Sequence, residues 1–180
     1  MKIYLYITCL AFVALLFLAP SAWAYTNSEK GFSINPPESW STEEGIEGVV
    51  VAFLGPVDPD VGYVNINVDV QNTLQSLSTI VENTKQSWSS TFLDYSLLTD
   101  KSLTVNGMSC HELEISYTDD GASCMQDSVL FVADDLLYQV TYFAGPTTYS
   151  SYLDVWEQSL NSFEIASWQS TDSSDGFPAT

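Results

Sequence analysis

The side chains that could do chemistry are few and concentrated. The only histidine is His111, in the run Cys110-His111-Glu112-Leu113-Glu114. Nucleophilic catalysis would need a thiol or hydroxyl within reach of that imidazole. Cys110 is its neighbour, but adjacent residues of a strand point to opposite faces, so the spacing separates them. No Gly-x-Ser-x-Gly elbow is present. On its own face His111 has Leu113 and Ile115 beside it, the pattern of a core or edge histidine. A hydrolase is therefore the weakest reading of these residues. For metals, no Cys/His spacing suits zinc. Asp58-Pro59-Asp60 lacks the later ligands of a calcium loop, and Asp119-Asp120-Gly121 is short of partners. Glu112 and Glu114 share a strand face and could meet acids on a neighbouring strand, which keeps open a weak Ca²⁺ or Mn²⁺ site. Solvated side chains are the simpler account of them, and of the outward row Asn65, Asn67, Asp69. No Gly-rich phosphate loop or basic patch occurs. The sequence thus assigns no catalytic residue, no cofactor site and no metal ligand.

Composition narrows the partners. Among 180 residues, 23 are acidic and four are Lys, with no Arg, for a net charge of -19. Charged residues make up only 15%, so the imbalance reflects missing cations more than surplus anions. Such a surface repels nucleic acid and anionic lipid headgroups and favours cations or a basic protein partner. Solubility is its plainest use.

The elements that would position these groups can be read in order. Met1–Ala24 reads as a signal peptide: Lys2, an apolar run from Ile3 to Ala19, then Ala22-Trp23-Ala24 as a small-x-small cleavage site. An uncleaved signal anchor is the alternative. Either places the bulk of the chain outside the cytoplasm, with residues 25–30 as a short linker and 31–166 as one domain. Gly31–Asn35 is the first expected strand, ended by Pro36-Pro37, followed by a loop anchored by Trp40. Val49–Leu54 has no polar residue and should be a strand buried on both faces. Gly55–Gly62 reads as a turn-rich loop. Tyr63–Val70 alternates, with Val64, Ile66, Val68 and Val70 inward.

A helix follows over Leu77 to about Phe92, capped by Ser76. Tyr95–Val105 is extended, Asn106-Gly107 is a tight turn, and Met108–Tyr117 is a strand. Met125–Ala133 and Leu136–Ala144 form a hairpin about Asp134-Asp135. That turn sets Val129, Phe131 and Ala133 opposite Val140, Tyr138 and Leu136 on a wholly apolar face; the other face, with Ser128, Leu130, Val132, Leu137, Gln139 and Thr141, is mixed. Thr148 should cap a last helix reaching about Phe163, with Tyr149, Tyr152, Leu153, Trp156, Leu160 and Phe163 in one stripe. Residues 167–180 read as a loose polar tail. If Asp119-Asp120-Gly121 joins two strands, Cys124 lies opposite Tyr117. Cys110 is then about seven residues, or roughly 23 Å, away along the strand. A disulfide tolerates only about 7 Å between Cα atoms, so two separate buried thiols are expected.

Gly31-Phe32-Ser33-Ile34 with Pro37 and Trp40, Val105-Asn106-Gly107, Tyr138-Gln139-Val140-Thr141-Tyr142 and Leu160-Asn161-Ser162-Phe163 occur in an order that resembles the PsbP-like superfamily. This comprises the extrinsic subunits of the oxygen-evolving complex and their prokaryotic relatives. The resemblance covers about Gly31 to Ile165. It implies an α+β fold, an antiparallel β-sheet flanked by helices in an α/β/α sandwich. It also implies a noncatalytic accessory or protein-binding role, of the kind that docking, assembly or cofactor-retaining subunits play. The expectation is therefore an extracytoplasmic accessory domain with an envelope-associated protein partner; a divalent-cation-binding protein and a hydrolase are the alternatives.

Overall fold

The computed structural model describes residues 24–166; the signal segment to Trp23 and the tail from 167 lie outside the described residues. Ten strands and two helices are present among those described. They are β1 (Tyr25–Asn27), β2 (Phe32–Ile34), β3 (Ser41–Glu43), β4 (Val51–Asp58), β5 (Gly62–Asn72), α1 (Leu77–Thr91), β6 (Leu93–Val105), β7 (Met108–Asp119), β8 (Ala122–Ala133), β9 (Leu136–Ala144), α2 (Leu153–Leu160) and β10 (Glu164–Ile165). The main sheet has seven strands in the order β3-β4-β5-β9-β8-β7-β6, and β1-β2-β10 form a small second sheet. Every pairing is antiparallel.

Three hairpins build one half of the main sheet, each turned by two residues at positive φ. These are Asn106-Gly107 (49° and 78°), Asp120-Gly121 (47° and 86°) and Asp134-Asp135 (49° and 60°). Left-handed turns of this kind match the natural twist of the flanking strands. The pairing at the last turn is the expected one: Ala133 opposite Leu136, Phe131 opposite Tyr138, Val129 opposite Val140. Cys124 is opposite Tyr117, and Cys110 and Cys124 are free, buried thiols.

The sheet is covered on both faces. On one side lie α2 and the small sheet, over a core of Phe53, Ile66, Val129, Phe131, Tyr138, Trp156 and Phe163. On the other, α1 sets Ile80 and Val81 on Leu113 and Leu130. Ser76 caps α1 by accepting from the backbone N–H of Thr79. The mixed face of the hairpin is satisfied rather than solvated. Ser128 Oγ lies 2.9 Å from Thr141 Oγ1, Gln126 donates to Ser128 Oγ at 3.0 Å, and Tyr117 donates to Gln126 at 3.2 Å. Buried hydroxyls and amides linked in this way avoid the desolvation cost of unmade bonds.

Several boundaries differ from the sequence reading. Tyr25–Asn27, expected to be linker, pairs with β2. Ser41–Glu43, expected in a loop, pairs with β4. β4 runs on to Asp58 through a bulge between Leu54 and Val57, so half of the expected Gly55–Gly62 loop is strand. Short edge strands have too few residues to show an alternating pattern. The last helix is shorter than expected, a 3₁₀ turn at Tyr149–Tyr152 leading into α2. Thr148 makes no capping bond; its hydroxyl donates instead to Asp58. Asp58 also accepts from the backbone N–H groups of Asp60, Val61 and Gly145. It thereby ties the β4–β5 turn to the segment that leads into α2.

The turn residue Asp135 holds φ 60°, a conformation that costs a side-chain-bearing residue about 1 kcal/mol relative to Gly. Asp135→Gly should therefore raise stability by about 1 kcal/mol, read as a higher urea midpoint with an unchanged slope. An unchanged or lower midpoint would contradict the turn assignment.

Candidate functional site

The register of the β6-β7-β8 edge brings acids together on the side facing α2. Lys101 lies opposite Glu112, Thr99 opposite Glu114, and Glu114 opposite Asp127. Farther along β7 the same face carries buried Cys110 and Met108, so the core gives way to a polar patch at Glu112. Tyr149, Leu153, Trp156 and Leu160 form the roof. The half-open cavity is about 340 Å³. Its end is held by Asn106, which donates to the backbone carbonyls of Asn161 (2.7 Å) and Phe163 (3.0 Å). The Asn-Gly turn thus fixes both a hairpin and the C-terminus of α2.

Asp127 dominates the electrostatics. Its residue is 7% exposed. Trp156 Nε1–H donates to Oδ2 at 2.7 Å, while Oδ1 has no partner. Burial pushes the carboxyl up to about 7; Glu112 and Glu114 push the same way, against the Trp156 bond and Lys101. The Tyr149 hydroxyl is likewise buried and makes no well-formed hydrogen bond, though Glu114 lies near it; burial, then Asp127 and Glu114, raise its ionisation far above the ordinary phenol range. Lys101 Nζ lies 3.1 Å from Glu112, and Thr99 Oγ1 donates to Glu114 at 2.8 Å.

The expectation that Glu112 and Glu114 could meet an acid on a neighbouring strand therefore finds Asp127. Yet among the described residues no group of three or more His, Cys, Asp or Glu is arranged to hold a metal ion. Asp127, Tyr149 and Trp156 were not singled out by the sequence as site residues. One signal was available: Met125, Asp127, Val129 and Phe131 alternate along β8, placing an acid on an otherwise apolar face.

His111 lies on the opposite face, beside Leu113 and Ile115 as expected. It lies on β7, paired with β6 on one side and β8 on the other, and has polar partners. Nε2 is 2.6 Å from Asp100 Oδ1, and Nδ1 is 3.3 Å from Ser102 Oγ. Asp100 is shared with Lys85 of α1 at 2.8 Å. Those partners, the Lys85 bond first and then His111, hold the Asp100 carboxyl below its usual range. Cys110 faces the other way, and burial pushes its thiol up to about 11. Its reactive thiolate is therefore scarce and out of reach of the imidazole.

This mostly antiparallel sheet with helices on both faces is an α+β fold like that of PsbP-like proteins. A cyanobacterial PsbP from Synechocystis sp. PCC 6803 superimposes with a TM-score of 0.60 at 13% identity, covering 79% of this chain and 91% of that one. LpqN of Mycobacterium tuberculosis, involved in cell envelope biogenesis, gives 0.60 at 14% identity, with 74% and 82% covered. PA94 of Pseudomonas aeruginosa, a protein of unknown function described as a putative regulator, gives 0.58 at 13%, with 77% and 93% covered. The chain belongs to the DcrB family, whose sequence model matches residues 34–162. No curated protein sequence matches it.

A buried acid with a raised ionisation point stabilises the fold only while protonated. Between the ordinary value of 3.8 and about 7 the native chain holds a proton that the unfolded chain has released, so stability falls as pH rises through that window. Asp127→Asn keeps an acceptor for Trp156 and stays neutral. Relative to that variant, the native chain should lose roughly 2–3 kcal/mol between pH 5 and pH 8, read by urea unfolding at both. Parallel losses in the two proteins would contradict the assignment.

Proposed function

We propose that this domain is a noncatalytic accessory module that acts outside the cytoplasm by binding a protein partner at the cell envelope. The observation that carries the reading is the division of reactive groups by the sheet. His111 with Asp100 and Ser102 lies under α1, whereas Cys110 and the carboxylates lie on the α2 side. The α2 side thus offers charge and shape for recognition without a base beside a nucleophile. Membership of the DcrB family and the likeness to PsbP-like proteins support an accessory role. Among the described residues no helix is long and apolar enough to cross a membrane, so attachment to the envelope would rest on the expected leader or on the partner. The net charge of -19 favours a partner with a basic face.

A hydrolase is the second reading, favoured specifically by the Asp100–His111–Ser102 contacts. One experiment separates the two. A photo-crosslinking residue is placed at Glu157, on the rim of the α2 side, or at Glu82 on α1, in the full chain expressed in its own cells. In parallel, the purified chain is treated with a fluorophosphonate. The accessory reading expects one discrete membrane-fraction adduct from position 157, not formed when isolated membranes are irradiated in high salt, and no labelling of Ser102. Labelling of Ser102 that is abolished by His111→Ala, with no adduct from either position, would establish the hydrolase instead.

A further inference from the structure

We propose that the cavity between α2 and the β6-β7-β8 edge binds a primary alkylammonium group, with Asp127, Glu114 and Tyr149 receiving the ammonium and Leu103, Leu153 and Leu160 lining the carbon chain. This goes beyond the protein-binding reading, because it assigns a ligand chemistry to one pocket and holds whether the amine is free or part of a partner.

Two observations carry it. The first is an unmet demand in the lining of the cavity. Asp127 and Tyr149 are 7% and 6% exposed, both line the cavity, Asp127 Oδ1 has no partner, and the Tyr149 hydroxyl makes no well-formed bond although Glu114 lies near it. Buried polar groups left unmatched are uncommon and costly. An ammonium has three N–H donors and no acceptor. Asp127 Oδ1 and the Glu114 carboxylate on the sheet, with the Tyr149 hydroxyl oxygen on the roof, supply three acceptors. The second is the balance of charge. Glu112, Glu114, Asp127 and Glu157 line the cavity against Lys101 alone. Lys101 already shows the chemistry at the mouth, where its ammonium sits 3.1 Å from Glu112 with 57% of the side chain exposed.

The rest of the lining selects among cations. A cavity of about 340 Å³ with leucines on its wall is far larger than one ion requires. A hard divalent ion needs about six oxygens at 2.0–2.6 Å, and the carboxylates do not gather in that way. An aliphatic stem fills the apolar part while its charged end reaches the acids. A proton competes with the amine for Asp127, so binding should strengthen as that carboxyl ionises. Lys101, Glu112, Glu114, Tyr149 and Glu157 are the charged or titratable groups that line the cavity with it.

The test uses the full chain with nitrogen-15 in its tryptophans. The Trp156 indole N–H, which donates to Asp127, reports on the site. Putrescine and N-acetyl-lysine methylamide are titrated separately at pH 8, then at pH 5.5. The expected result is a saturable shift with at least one amine at about millimolar concentration. It should weaken about tenfold in Asp127→Asn, in Glu114→Gln and in the native chain at pH 5.5, and stay unchanged in Asp69→Asn. Response to putrescine alone marks a free diamine; response to the lysine derivative marks a side chain of a partner. Absence of a saturable shift with either amine overturns the proposal. So does equal affinity in Glu114→Gln, whose own fold is checked by its spectrum, and so does full displacement by equimolar CaCl₂. None of these results bears on the cross-link from position 157, which tests the accessory role separately.

Discussion

The fold depends on the register of the β8–β9 hairpin. Its two-residue turn at Asp134-Asp135 fixes which side chains face α2 and which face α1. A slip of one residue would exchange the two sets entirely. In the observed register Val129, Phe131, Tyr138 and Val140 enter the main core, while Leu130 packs under α1. The same alternation puts Asp127 beneath Trp156 and Ser128 beside Thr141. Because β9 also pairs with β5 and β8 with β7, this one turn sets the faces of the central four strands. The β6–β7 turn then extends the pattern to the edge, where Lys101, Glu112 and Glu114 complete the polar wall.

Two buried aspartates show how local partners decide the fate of a charge. Burial alone would raise Asp58, but its bonds to Thr148, Asp60, Gly145 and Val61 outweigh that and lower it. Asp127 has one donor, Trp156, and two glutamates nearby, so burial prevails and raises it. Asp58 is a fastener: its bonds are satisfied and it joins two segments distant in sequence. Asp127 is a buried acid with an oxygen to spare. Such a group costs stability when charged. Here the cost falls on a wall that opens into a cavity, where an incoming cation could offset it.

What the sequence made legible was local. Strand alternation, two-residue turns and the Ser76 cap are governed by residues within a few positions of one another; the turns and the cap fell where expected, while β4 and β8 run three or four residues beyond the expected bounds. The two free thiols were legible as well, because their separation follows from one hairpin and the strand rise. The resemblance to PsbP-like proteins placed these pieces in the right order. What stayed hidden was distant. Trp156 meets Asp127 across 29 positions, and Thr148 meets Asp58 across 90. Such pairings depend on how α2 docks, which periodicity does not encode. Thr148 shows the limit well: its type and place suit a helix cap, but a buried carboxylate was the stronger partner. β1, β3 and β10 escaped notice because two or three residues carry no pattern. The polar partners of His111 were legible but passed over: counting back from the Asn106-Gly107 turn sets Ser102 opposite His111 and Asp100 opposite Leu113 with no bulge between.

The central claim is that the wall facing α2 holds a buried carboxyl that one hydrogen bond leaves short of compensation. Carbon-13 NMR of the aspartate side-chain carboxyls, followed over pH, measures this directly. The account expects the Asp127 signal to titrate at about 7, with the Trp156 indole proton moving in step. A midpoint near 4, shared with the exposed aspartates, would contradict it.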